Sequence, residues 1–118
     1  QPRAPEPAPA PQAPPALPPP YEPQLLRLAE VMGALAYLRD LCGMADGDKW
    51  RGRMAALLEA EAPTPARKER LAGAYNKGFT GYEATYRACT PNAELVIQRY
   101  LDEGQRIARD VASRFGGG

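Results

Sequence analysis

TPARKERLAGAYNKGFTGYEATYRACTP, residues 64–91, opens and closes on the pair Thr-Pro. A threonine hydroxyl at an N-cap accepts a hydrogen bond from an amide of the first turn. Proline at the first helical position lacks only a donor that would have had no partner there. Thr64-Pro65 and Thr90-Pro91 therefore predict two helix starts, at 65 and at 91. After the first, Leu71, Tyr75, Gly78, Phe79, Tyr82, Tyr86 and Cys89 recur three or four apart, which predicts a helix over 65–89. After the second, Ala93, Ile97, Tyr100, Leu101, Gly104, Ile107, Val111 and Phe115 do the same. That helix is expected over 91–115, with a Gly tail at 116–118. Gly78 and Gly104 lie on these apolar stripes. Each costs its helix about 1 kcal/mol, which a close helix–helix approach would offset.

The same rhythm extends upstream. Leu25, Leu28, Met32, Leu35, Leu38 and Cys42 predict a helix over 22–42, with Gly43 as its C-cap glycine. Trp50, Met54, Leu57 and Leu58 predict another over 47–61, capped by Asp46 or Asp48 and stopped by Pro63. No stretch alternates as a strand would. Short connections favour antiparallel neighbours, so the fold class is all-α: an up-down four-helix bundle over 22–115.

Residues 1–21 are different. Eleven of the fourteen prolines fall in the first 23 positions, interleaved mainly with alanine. Such a chain admits neither helix nor sheet. A disordered, extended Pro/Ala-rich arm is expected, reaching roughly 60 Å over twenty residues. Pro-x-x-Pro spacings such as Pro2-Arg3-Ala4-Pro5 could dock in an aromatic groove, but they are unavoidable at this density and a solvated spacer is simpler. The start at Gln1 is read as processed, with a signal peptide already removed.

In an up-down bundle the first and third helices finish at the same end. Cys42 and Cys89 then arrive together, placed for a disulfide. Closing the chain between them would contribute about 4 kcal/mol by restricting the unfolded state. The alternative is two separate buried thiols in a reducing cytosol. A disulfide implies an oxidising compartment.

Composition narrows the chemistry. Without histidine there is no Ser-His-Asp triad, no Cys-His dyad and no His-bearing zinc site. A net charge of +1 leaves no electrostatic footprint for nucleic acid. No apolar run is long enough to span a bilayer. Asp46-Gly47-Asp48 begins like a calcium loop, but Trp50 occupies the next ligand position and helix capping explains the aspartates. Glu59 and Glu61, two apart, do not share a helix face and make a poor acid/base pair. No catalytic residue, cofactor or metal is therefore expected, and the chain is not expected to be an enzyme.

Two surface readings remain. Arg67-Lys68-Glu69-Arg70 puts positive charge at the positive end of a helix dipole, so Arg67 and Arg70 are candidate partner contacts. Arg87, Arg99 and Tyr100 join them as interface candidates. On the fourth helix, Glu103–Arg106 and Asp102–Arg106 should form a solvated ion-paired face. Trp50, Tyr75, Phe79, Tyr82 and Tyr86 should be mostly core, or else should line a pocket between helices.

Tyr37-Leu38-Arg39-x-Leu41-Cys42, Trp50-Arg51, Glu61-Ala62-Pro63, Tyr75-Asn76-x-Gly78-Phe79, Thr85-Tyr86-Arg87-x-Cys89-Thr90 and Arg99-Tyr100-Leu101-x-Glu103-Gly104 follow in order. This string resembles an uncharacterised alphaproteobacterial family of small exported two-cysteine helical proteins, a domain of unknown function. The likeness covers about 95 residues and excludes the arm. It implies a bacterial envelope or periplasmic setting and brings no activity with it. The expectation is a non-enzymatic periplasmic interaction module engaging another envelope protein. The alternative is a small-molecule or peptide carrier with an aromatic pocket.

Overall fold

A computed structural model describes residues 18–114; the arm as far as residue 17, with its expected disorder, and residues 115–118 lie outside the described residues. Four helices follow in order: α1 Glu22–Leu41, α2 Gly47–Glu61, α3 Pro65–Thr85 and α4 Pro91–Arg114. No strand occurs among the described residues. Side-chain pairs fix the directions. The Tyr21 hydroxyl donates to Glu61 at 3.1 Å, so α1 begins where α2 ends. Arg67 pairs with Glu22 at 2.8 Å, so α1 and α3 begin together. Gln24 donates to Asp110 at 2.7 Å, so α4 ends beside the start of α1. The arrangement is up-down-up-down.

From Val31 to Leu38 α1 carries no polar side chain but Tyr37, and a helical run of that kind must be covered on all its faces. Leu25, Leu28, Ala29, Val31, Ala34, Leu35, Ala36 and Leu38 are all buried. α2, α3 and α4 each pack on α1, whereas α4 makes no close backbone approach to α2 or α3. The dominant contact joins the parallel helices α1 and α3 rather than successive antiparallel ones. Two glycines permit it. A Cβ on Gly78 would lie 2.0 Å from the Glu30 carbonyl oxygen, and one on Gly33 would lie 1.9 Å from that of Tyr75. The close approach expected at Gly78 is present; its counterpart on α1 was hidden inside an unbroken apolar run. Gly104 differs: a Cβ there would only touch Val31 and Leu28 at 3.6 and 3.8 Å.

The Thr-Pro starts behave as their chemistry dictates. Thr64 Oγ1 accepts from the Arg67 amide at 3.3 Å and Thr90 Oγ1 from the Ala93 amide at 3.0 Å. Gly43, at φ +84°, ends α1 in a Schellman motif, with the Met44 amide bonded to the Arg39 carbonyl and the Gly43 amide to that of Asp40. The cap of α2 is not the one expected. Asp46 stands at the N-cap position, but its carboxylate is taken by Arg39 at 2.8 Å. Asp40, from the end of α1, accepts the Gly47 amide instead, at 2.8 Å.

α3 is also shorter than its periodicity suggests. It stops at Thr85, and Tyr86 is extended (φ −116°, ψ 122°). The Tyr37 hydroxyl donates to the Tyr86 carbonyl, which the next helical turn would otherwise have used. The chain then swings out to bring Cys89 over Cys42.

Tyr75 packs among these helices with its hydroxyl buried and without a hydrogen-bond partner. That burial pushes the hydroxyl's pKa up. A buried donor left unsatisfied carries a desolvation cost of about 1–3 kcal/mol. Tyr75→Phe is therefore expected to keep or raise stability, and thermal denaturation followed by circular dichroism would show it. A clear loss would mean that the hydroxyl finds a partner.

Candidate functional site

The Cys42–Cys89 disulfide closes one end of the bundle, with S–S 2.06 Å and Cα–Cα 4.9 Å. Cys89 stands on the exposed loop after α3, and Cys42 is half-buried. Beside them lies a shallow depression shared by Met44, Pro91, Glu94, Leu95 and Gln98. Met44 (58 % exposed) and Leu95 (46 %) are the large hydrophobic side chains left open among the described residues. The loop that presents Met44 is held firmly. Arg39 grips Asp46, and Ala45 is held in the left-handed region at φ +53°, which a residue with a side chain adopts at a cost of about 1 kcal/mol.

The five interface candidates separate by position. Arg87 is exposed two residues before Cys89, and Arg99 is exposed one helical turn beyond Leu95. Both flank the disulfide end. Arg70 is exposed towards the other end, near the start of α3. Arg67 is not open for a partner: it pairs with Glu22, their side chains 11 % and 7 % exposed. Glu22 thus answers the misplaced positive charge at the start of α3. Tyr100 is half-buried in a polar seam, hydrogen-bonded to the Tyr82 hydroxyl and lying under Arg27 at 5.1 Å.

That seam also changes the charge pattern expected on α4. Glu103 reaches across to Arg27 (Nη2 to Oε1 3.0 Å) rather than along its own helix to Arg106. Its flank of α4 faces α1, where a longer-range partner is nearer. Arg27, chiefly by hydrogen bonding, holds the Glu103 carboxyl below its usual 4.5, against an opposing push from partial burial. Arg39 does the same to Asp46, below its usual 3.8. Burial and the bond to Tyr100 push the Tyr82 hydroxyl well up.

A carboxyl whose pKa is lowered by folding binds fewer protons folded than unfolded. Its stabilisation is complete above the unfolded value and is lost as the pH falls through the folded one. Urea midpoints are therefore expected to hold from pH 7 to about 5 and to decline towards pH 3. Each partly exposed pair contributes about 1 kcal/mol or less. Glu103→Gln should remove part of that decline and leave the part due to Asp46. An unchanged profile would show that the Arg27 pair does not couple to folding.

The aromatic residues do not form one pocket. Tyr75, Phe79, Tyr82 and Tyr86 pack on α1: Phe79 meets the edge of Tyr37 at 5.5 Å between centroids, and Tyr82 stacks on Tyr86 at 6.1 Å. Trp50, buried in the same core, also lines a groove of about 220 Å³ between α2 and α4, together with Leu28, Val31 and Leu35 of α1 and Leu101 and Ala108 of α4. The groove exists because α2 and α4 make no close backbone approach. Its cation, Arg53, lies over the Trp50 ring at 4.5 Å. Periodicity could not find it, since the gap depends on where α2 and α4 sit around α1.

No helix among the described residues is long and apolar enough to cross a membrane. No curated protein matches the chain, and no solved structure matches it. The motif string and the bundle have their counterpart in a family model that matches residues 20–115, nearly all of the chain beyond the arm, so the chain belongs to the family described as "Protein of unknown function (DUF2385)".

Proposed function

We propose that the chain is a non-enzymatic interaction module of the bacterial cell envelope, exported to the periplasm and docking another envelope protein through its disulfide end. The observation that carries this reading is the pair Met44 and Leu95, open to solvent in one depression beside the disulfide. Apolar side chains left exposed together on a braced loop and a helix suit a protein contact. Arg87, two residues before Cys89, and Arg99, one helical turn beyond Leu95, are exposed and suit a partner that rings its own apolar patch with carboxylates. The disulfide supports an oxidising compartment.

The test is crosslinking in the native envelope with the wild-type chain and with Met44→Asp/Leu95→Asp, followed by mass spectrometry. Both substitutions are at exposed positions, so the melting temperature should hold. A partner captured by the wild type should be lost, by tenfold or more, from the variant. Equal capture by both, or no specific partner for either, would overturn the reading.

A further inference from the structure

The groove between α2 and α4 is a second feature, remote in chemistry from the docking end. Its walls are mainly apolar, with Trp50 and Tyr100 among them, and Arg53 and Gln105 supply its polar groups. At about 220 Å³ it is below the usual size of a drug-like pocket, so it suits a slender chain rather than a folded peptide. Leu28 and Ala108 also line a second hollow towards the start of α1, with Leu25, Leu57 and Val111, and Tyr21 and Glu61 at its far end. From Leu35 to Leu25 the floor runs ten residues along α1, about 15 Å at a helical rise.

Two observations point to what fills it. Arg53 is the one charged side chain among the described residues lining the α2/α4 groove itself, Glu61 lying in the hollow beyond. No carboxylate among the described residues forms a salt bridge with Arg53. The cation instead lies on the indole at the groove wall. Gly104 is the other. A glycine inside a helix is less stable there than alanine, and here no backbone approach requires it, unlike at Gly33 and Gly78. What its missing side chain does provide is open space in the groove wall.

We infer that the α2/α4 groove binds a single-chain anionic amphiphile, an acyl carboxylate whose tail lies along α1 and whose head meets Arg53. The tail removes apolar wall from water, which favours binding in proportion to the area covered. The head supplies the anion that Arg53 lacks, in a charge-assisted hydrogen bond. This site is separate from the docking end: Arg53→Gln leaves Met44 and Leu95 untouched, so the two readings fail independently.

Trp50 is the only tryptophan and lines the site, so its emission reports binding. The full chain is titrated with dodecanoate below its micellar concentration, and in parallel with dodecanol and dodecyltrimethylammonium. Dodecanoate should give a saturable one-to-one change. Arg53→Gln should weaken dodecanoate at least tenfold and leave dodecanol unchanged. Gly104→Leu should abolish the response to both, with its fold checked by circular dichroism. Should that variant not fold, the Arg53→Gln split between acid and alcohol decides alone. No saturable response to dodecanoate, equal binding of the cationic amphiphile, or indifference to Arg53→Gln would overturn the assignment.

Discussion

Gly78→Ala is expected to destabilise the protein by about 3 kcal/mol or more, and Gly33→Ala by as much. Overpacking in most cores is relieved because the offended neighbour is a side chain that can rotate. Here the neighbour is backbone: the Glu30 carbonyl oxygen would stand 2.0 Å from the new Cβ at 78, and the Tyr75 carbonyl oxygen 1.9 Å from that at 33. Only separating α1 from α3 relieves the clash. Separation would open the most extensive contact in the bundle, where Leu35, Leu38 and Leu71 are fully buried. Dispersion falls steeply with even a fraction of an ångström of gap, so many contacts weaken together. Against a total stability of about 5–15 kcal/mol, such a loss leaves little folded protein at 37 °C. Gly73→Ala is the control. It lies on the exposed face of α3 with open space around it, and should gain about 0.5–1 kcal/mol from helix propensity. Urea denaturation of the three variants separates the cases. A Gly78→Ala midpoint within experimental error of wild type would refute the close crossing.

Removing the disulfide, by reduction or by Cys42→Ser with Cys89→Ser, is expected to cost about 4 kcal/mol. The two cysteines are 47 residues apart, so the closed loop takes in α2 and α3 entirely. The cross-link mainly denies the unfolded chain its most open conformations. A second contribution is local. Tyr86–Thr90 leaves the helical path to reach Cys42, and with the bond gone it is restrained by the contacts of Tyr86 with Tyr37, Tyr82 and Asn92 and by the Thr90 cap, none of them covalent. For a domain of this size the melting temperature should fall by roughly 15–30 °C. Non-reducing mass measurement establishes the starting state, and calorimetry with and without reductant gives the shift. A loss below about 1 kcal/mol would mean that the loop is already confined without the bond.

The legible parts of the fold were those in which neighbouring residues decide. Thr64-Pro65 and Thr90-Pro91 mark helix starts because cap and ring act within one turn. Gly43 marks a helix end for the same reason. The pairing of Cys42 with Cys89 was legible as well, because it needs only helix order and direction. The end of α3 was not, since the Tyr37 hydroxyl that takes the Tyr86 carbonyl belongs to another helix. Arg67 read as a free cation until Glu22, 45 positions away, stood beside it. Likewise Asp46 read as a cap until Arg39 claimed it.

By itself, then, the sequence determined the four helices, their order and the cross-link. The 3.6-residue period, the caps and the prolines act over a few residues, and two cysteines at the ends of co-directed helices follow from counting. Only the tertiary structure decided that α1 is the hub, that the parallel helices α1 and α3 cross at Gly33 and Gly78, and that α2 and α4 stand apart over a groove. Those outcomes depend on how ridges and gaps of distant segments fit around one helix. The apolar run from Val31 to Leu38 specifies that α1 must be covered there, without specifying by what.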